Sequence, residues 1–449
     1  MVWLVDCTHY SKSIDPQLAT IRNDYLRIKR YKRDSIIGEC ATPGKRIYAL
    51  GLLRIATILH RNGVDVKYID CEDLIAVLGS VAPFPEVVAF SCVCPTVDIC
   101  ADLAKKIKEI SPSTRIVLGG VHVNLCYSET ARRYQIFDDF SVGYETEAAE
   151  KIIQQHLDPV KNVYADYSLL PYPLKEYSIN TFTVSGCPFK CDYCVDGKAQ
   201  TVFASKDGQV STMKSLLPPK TMIHFFDSVL GHSRLGAESI CKTIETIGHD
   251  FILSCDMRAD LLTPSLIKSL QRAGFVELRM GIESADQRLL DRNNRTLKVE
   301  GFIDRMKMIR DNSSIYITLY SIVGLPGTTI KSQEMTMDYF HQLLVDKYAD
   351  EIKNTQYVPY PMEGVDYAKR GVFITTDDWS KYDRQSFPVY QTEECSSKQL
   401  WDLYLKTAKG INDSWLQSCG FSDYNQIPNV GNNYGEYMEI RANGDQNNS

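Results

Sequence analysis

The chain has 449 residues and a formal net charge of −6, with 44% hydrophobic, 24% charged and 10% aromatic residues. That length suits roughly two or three globular domains. The acidic balance excludes the electrostatic footprint of a nucleic-acid or anionic-membrane binder, and no apolar run approaches a membrane span. The fourteen cysteines are scattered rather than set out as a framework, and Met1 to Asp6 reads as a strand rather than a leader. The thiols are therefore expected to be reduced and the protein cytoplasmic.

Up to about residue 160 strands and helices alternate. Val2–Val5 reads as a buried strand, and a polar, Arg/Lys-rich excursion follows. An amphipathic helix is expected from about Ile47 to Asn62, closed by Gly63. Strands are expected at Val64–Asp70, Val87–Ser91, Arg115–Gly120 and Phe140–Gly143, with helices at Val97–Ile110 and near Glu147–His156. The wholly apolar Val87-Val-Ala-Phe suits the middle of a parallel sheet. The alternation predicts a doubly wound parallel sheet, whose ligands bind at the carboxyl ends of the strands. Those ends carry Ser91 to Thr96, Gly119-Gly120-Val121-His122 and Gly143-Tyr144-Glu145, where glycine permits close backbone approach.

A linker rich in Tyr, Pro and Leu spans 161–177. Strands are then expected at Thr181–Val184, Met222–Asp227, Phe251–Arg258, Val276–Glu283, Ile315–Val323 and near Lys353–Val358, with helices at about 236–247, 264–273 and 299–311. This order predicts a partial (β/α)6 barrel over 178–350, with chemistry at the C-terminal strand ends. A small, mostly helical cap containing Trp379, Trp401 and Trp415 is expected over 351–440, and a disordered polar tail over 441–449.

The first barrel strand delivers S-G-C-P-F-K-C-D-Y-C-V-D-G at 185–197, with Cys187, Cys191 and Cys194 at C-x3-C-x2-C spacing. Thiolates this close suit a metal or cluster. Iron–sulfur clusters take cysteine thiolates, usually four, so three with no near fourth leave one iron open to a small chelating ligand. The alternative is a zinc site or three unrelated buried thiols, but zinc would want a fourth Cys or His at close spacing, and none follows.

This motif, with the aromatic Tyr193 before the third cysteine, resembles that of the radical SAM superfamily. The resemblance implies a [4Fe-4S] cluster on Cys187, Cys191 and Cys194 that reduces S-adenosylmethionine (SAM) and releases a 5′-deoxyadenosyl radical. F-F-D, D-M-R-A-D, G-I-E-S and G-L-P-G-T resemble the family's signposts, and imply SAM contacts at Tyr193, Asp227, Arg258, Glu283, Ser284 and Gly324. The family commonly has an acidic residue after G-L-P-G, where this chain has Thr328.

The first sheet, with G-G-V-H and V-G-Y-E-T-E, resembles the cobalamin-binding domain that precedes the barrel in one large subfamily. T-P-G-K-R-I-Y-A-L-G-L-L-R-I-A at 42–56 fits that subfamily too. The family's last strand usually ends G-E-G-E, so Tyr144 and Thr146 are departures. The implied cobalamin contacts are Ser91, Thr96, Gly119, Gly120, His122, Gly143, Tyr144 and Glu145. No histidine has Asp two residues before it, so the D-x-H-x-x-G motif that ligates cobalt from below is absent. V-P-Y-P-M-E-G-V-D-Y at 358–367 resembles the subfamily's P-x-P-G-T segment with Met362 and Glu363 inserted. Cys395 and Cys419 are expected to be buried thiols.

The resemblance implies methyl transfer through cobalamin to an unactivated carbon of a small-molecule or peptide natural-product intermediate, phosphinate phosphorus being a rarer acceptor. It also implies a one-electron donor of flavodoxin or ferredoxin type. The alternatives are a cobalamin-assisted rearrangement or cyclisation, a cobalamin-free radical SAM enzyme, and a non-enzymatic zinc or binding module.

Overall fold

The computed structural model describes residues 1–9, 14–37, 46–78, 84–157, 164–199, 201, 203 and 206–428. The expected tail at 441–449, residues 42–45 of the N-terminal segment and 161–163 of the linker lie outside the described residues.

The first unit runs β1 (Val2–Asp6), α1 (Pro16–Ile37), α2 (Leu50–Arg61), β2 (Val66–Asp70), α3 (Cys71–Val77), β3 (Val87–Ser91), α4 (Val97–Ile110), β4 (Arg115–Gly119), α5 (Val121–Leu125), α6 (Tyr127–Arg133), β5 (Asp139–Phe140) and α7 (Glu145–Ile153). Its five strands pair in parallel in the order β2-β1-β3-β4-β5. β3 sits at the centre, buried over nearly its whole length, as its unbroken apolar run requires. On α4 the buried Val97, Cys100, Ala101, Ala104 and Ile107 recur at helical spacing, with Asp98 in the first turn and Lys108 in the last complementing the dipole. The last strand is shorter than its sequence suggests, ending at Phe140 before Gly143 turns the chain at φ 111°.

The second unit runs β6 (Ile179–Thr181), α8 (Lys206–Leu216), β7 (Met222–Phe225), α9 (Arg234–Ile247), β8 (Ile252–Met257), α10 (Pro264–Arg272), β9 (Phe275–Glu283), α11 (Gln287–Arg292), α12 (Phe302–Asn312), β10 (Tyr316–Val323), α13 (Ile330–Val345) and β11 (Glu351–Gln356). All six strands are parallel in the order β11-β10-β9-β8-β7-β6, so the partial barrel is open between β6 and β11. Alternate residues divide its two faces. Leu253, Cys255, Met257, Leu278, Met280, Ile282, Ile317 and Leu319 are buried in one core with Ile240 and Ile244 of α9 and Leu266 and Leu270 of α10. The concave face carries Met222, His224, Asp256, Glu277, Arg279, Thr318, Tyr320, Glu351 and Lys353 on successive strands.

One expectation is corrected here. Residues 16–37, read as a polar excursion, form the 22-residue helix α1. Its Tyr25, Lys29 and Arg33, one helical stripe at four-residue spacing, reach the N-terminal ends of the barrel strands. Lys29 pairs with Glu351 at 2.8 Å and Arg33 with Glu277 at 3.0 Å, and Tyr25 donates its hydroxyl to Glu351. Helix α1 therefore closes the floor of the barrel with ion pairs. A buried face built from charges carries no apolar periodicity, which is why its sequence reads as solvated.

The C-terminal region adds the antiparallel pair β12 (Val372–Ile374) and β13 (Tyr390–Thr392) to the expected helical element, the 22-residue α14 (Ser397–Ser418). Trp415 of α14 is fully buried, its ring centroid 5.5 Å from that of Tyr25.

Candidate functional site

The loop after β6 is held from several sides. Asp227, beyond β7, is fully buried, and its carboxylate accepts the backbone N–H of Thr183 at 2.6 Å, of Val184 at 3.3 Å and of Gly231 at 3.0 Å, besides the Thr183 hydroxyl. Expected as a SAM contact, it is used as a clamp on the entry to the cysteine loop. Asp192 N donates to Asn293 O at 3.0 Å, Asn294 Nδ2 to Lys190 O at 2.8 Å, and Arg370 Nη1 to Asp192 O at 2.9 Å.

The three thiols share this loop. Burial pushes the Cys194 thiol up to about 12 and raises that of Cys187, with the Asp196 carboxylate adding to both. A cluster held here would keep all three as thiolates. Two buried guanidiniums, Arg258 and Arg295, lie beside the loop. Arg295 Nη2 donates to Gly281 O, and Arg258 stacks over the Phe189 ring at 3.9 Å while pairing with Asp260 at 2.7 Å. Arg258 Nη1 and Arg295 Nε have no hydrogen-bond partner among the described residues. No three His, Cys, Asp or Glu side chains among those residues are placed to hold a single metal ion.

Tyr193 and Glu283 meet at the loop's inner side, with the Tyr193 hydroxyl 3.2 Å from Glu283 Oε1. Arg295 Nη2 lies 3.7 Å from the same carboxyl oxygen. Burial raises the Glu283 carboxyl, against the pull of Arg295 and Tyr193. Ser284 is turned away: its hydroxyl faces Thr336 Oγ1 at 2.9 Å and accepts Asp286 N at 3.0 Å, capping the turn into α11. Gly324, at φ 84°, packs against the cap, its carbonyl accepting the Tyr390 hydroxyl at 2.7 Å. A side chain there would meet that hydroxyl at 2.3 Å, measured from Cβ.

Arg295, Asn293 and Asn294 escaped sequence reasoning. Their signal was the N-N-R run after α11, with Asn294 at φ 53°, a conformation asparagine tolerates.

At the carboxyl edge of the first sheet the three expected segments are stitched together. Cys92 N donates to Gly119 O at 3.0 Å, and Gly143 N to Asn124 Oδ1 at 2.9 Å. Gly120, at φ 103°, passes so close to Cys92 that a Cβ would stand 2.5 Å from its carbonyl oxygen. Beside these glycines Val121 and Val142 are 52% and 45% exposed, an apolar rim that a broad flat ligand would cover. The buried Ser91 hydroxyl lies under Gly120, while Thr96 closes its own turn on Val93. Glu145, at φ 48°, pairs with the buried Arg54 at 2.5 Å, and Arg54 stacks on Phe182 at 4.2 Å. Tyr144 precedes it at the start of α7.

His122 is placed otherwise than its motif suggests. Its ring is buried, with Nε2 3.1 Å from Thr130 Oγ1 and the Trp379 ring 4.5 Å away. That packing leaves it no approach to a ligand on the rim. Burial, helped by Arg133, depresses the imidazole to about 4.

Residues 360–395 bridge the two edges. Glu363, inserted relative to the resembling segment, donates its N–H to Leu125 O at 2.8 Å and accepts Ser128 N at 2.6 Å. On the barrel side Arg370 reaches Asp192, and Glu393 and Glu394 take Arg292. A cavity of about 200 Å³ lies under this bridge, between Tyr193, Asn293, Pro326 and Arg370.

Comparison with known proteins places this geometry. A B12 binding domain family model matches residues 38–153, and a radical SAM superfamily model matches residues 181–340. An uncharacterized methyltransferase of Pyrococcus horikoshii is 23% identical over 80% of this chain and 86% of its own length. An anaerobic magnesium-protoporphyrin IX monomethyl ester cyclase of Cereibacter sphaeroides is 20% identical over 79% of this chain and 64% of its own. Among solved structures, the radical SAM methyltransferase TsrM of Kitasatospora setae, with cobalamin and [4Fe-4S] cluster bound, superposes with TM-score 0.58. It is 13% identical over 93% of this chain and 99% of that one, a likeness of fold.

Proposed function

The chain belongs to the radical SAM superfamily, with a B12 binding domain ahead of its radical SAM domain, and from that premise we propose that it methylates an unactivated carbon of a small-molecule or peptide natural-product intermediate. The enzyme's cofactors are a [4Fe-4S] cluster, SAM and cobalamin. When bound, they supply the electron, the hydrogen-abstracting group and the methyl group.

The chain's own residues provide placement. Cys187, Cys191 and Cys194 hold the cluster, Arg258 and Arg295 balance its charge, and Asp227 keeps its loop in register. Tyr193 and Glu283 face the SAM side. Gly120 and Gly143, with Val121 and Val142 beside them, offer backbone and apolar surface to a corrin. Ser91 and Thr96 shape the intervening turn. Helix α1 below and residues 360–395 above keep water out of the barrel. The electron comes from a flavodoxin- or ferredoxin-type donor. Every described cysteine is free, which suits the reducing cytoplasm this chemistry needs.

One observation supports this reading most. The cysteine loop and the glycine-lined edge of the first sheet are tied to the same bridging segment, 360–395, so ligands held at the two edges would lie against each other.

The test is anaerobic reconstitution with iron, sulfide and hydroxocobalamin, followed by metal analysis and incubation with SAM and a reductant. About four irons and one cobalt per chain are expected, with S-adenosylhomocysteine and 5′-deoxyadenosine both formed. A cyclisation reading is favoured by the relatives named as cyclases, and it predicts 5′-deoxyadenosine without S-adenosylhomocysteine. Iron without cobalt would sink the methylcobalamin step.

A further inference from the structure

The concave face of the barrel holds more charge than the cluster needs. In place of the branched apolar layers that usually fill such a barrel, five successive strands contribute His224, Asp256, Arg279, Tyr320 and Lys353. Register makes them neighbours: Asp256 pairs with Arg279 across β8 and β9, and Tyr320 with Lys353 across β10 and β11. His224 Nδ1 faces Ser254 Oγ at 3.0 Å and its Nε2 faces Asp256 Oδ2 at 3.1 Å. Arg279 reaches Glu277 at 3.1 Å, and Lys29 reaches Glu351 at 2.8 Å. Each carboxylate in the belt and its floor thus has its own partner.

Lys353 does not. Among the described residues it makes no ion pair, and its ammonium lies 5.9 Å from the Tyr320 ring centroid. Its side chain is accessible, although its strand lies within the fold. An accessible ammonium whose neighbouring carboxylates already have partners is free to pair with an arriving anion. Apolar surface lies on the same face: Phe226, just past β7, is 63% exposed, with its ring edge-on to that of His224 at 5.6 Å.

We propose that the barrel interior binds a substrate bearing a single carboxylate on an apolar or aromatic body, with Lys353 as the partner of the carboxylate and Phe226 as part of the wall for the body. The proposal rests on the reading of the barrel as the reaction chamber and adds the substrate class. A carboxylate fits better than a phosphate, because Asp256, Glu277 and Glu351 share the lumen and a dianion would meet their repulsion.

The test uses the reconstituted full-length holoenzyme with 2-naphthoate and its neutral isostere 2-naphthamide, binding being followed by equilibrium dialysis. Naphthoate is expected to bind wild type, roughly tenfold to a hundredfold more weakly to Lys353→Met, and nearly as well to Lys353→Arg. Naphthamide should not distinguish the three. Absent binding to wild type, or equal binding to wild type and Lys353→Met, would overturn the proposal.

Should Lys353→Met fail to fold, 13C-methylation of wild-type lysines gives a second readout. The Lys353 resonance, identified by its loss in Lys353→Arg, should move with naphthoate and stay fixed with naphthamide; no movement overturns the proposal. Iron content and substrate-free SAM cleavage are measured on the same samples. Lys353-dependent naphthoate binding without SAM cleavage would uphold the carboxylate site while removing the radical SAM reading. SAM cleavage with Lys353-independent binding would do the reverse.

Discussion

The Glu283 carboxyl folds back over Gly281, so close that a Cβ on Gly281 would stand 2.1 Å from Glu283 Oε1. Glu283 itself holds φ 64° at the end of β9, a left-handed conformation that costs a non-glycine residue about 1–3 kcal/mol. Strain of this kind persists where the surroundings demand it, and here the Tyr193 hydroxyl and Arg295 hold the carboxyl beside the cysteine loop.

Glu283→Gly is therefore expected to keep or raise the melting temperature while weakening SAM binding about tenfold, read by calorimetry and by equilibrium dialysis on the reconstituted enzyme. Gly281→Ala should destabilise wild type by about 1–3 kcal/mol and do little in the Glu283→Gly background. An equal cost in both backgrounds would show that the carboxyl does not set the requirement for glycine.

Asp227→Asn should lower stability by about 2–3 kcal/mol, because an amide cannot accept all the donors that now converge on the carboxylate, and its own N–H groups would face them. Iron content after reconstitution should fall in parallel as the loop loses its clamp. Unchanged melting and full iron would remove the clamp role.

Cys187→Ala is expected to take iron from about four per chain to almost none. Cys7→Ala, altered just beyond β1 of the first unit, should leave it intact. Comparable loss in both would point to general unfolding rather than a lost ligand.

His122 gives an acid dependence whose sign follows from its burial. The unfolded imidazole takes its proton near 6.5 and the folded one near 4, so between these values the unfolded state binds more protons. Stability is expected to fall by about 1.4 kcal/mol per pH unit as pH drops from about 6.5 to about 4. His122→Phe, still packed against Trp379, should flatten that stretch of the melting-temperature profile. A profile of the same slope in the variant would assign the acid sensitivity elsewhere.

Much of the fold was legible in the chain. The strands Val87–Ser91 and Val276–Glu283 and the helix Val97–Ile110 announce themselves through apolar runs and helical spacing, and those patterns arise within a few residues of each other. What escaped shares one cause. Helix α1 buries Tyr25, Lys29 and Arg33 against carboxylates on strands far along the chain, so its inner face looks like an outer one. The Asn293–Arg295 run acts on a loop contributed by a different barrel strand.

The cysteine loop was determined by the sequence itself, because three thiols within eight residues lie near one another whatever surrounds them. The order of parallel strands was determined in the same local way. The tertiary structure decided the use of each polar residue at the strand ends. Asp227 became a clamp, Ser284 a cap and His122 a packed ring under Trp379, and Lys353 was left without a counter-charge. Those outcomes depend on which distant donor, ring or carboxylate the fold brings alongside, and a side chain's protonation and hydrogen bonding follow its neighbours in space rather than in sequence.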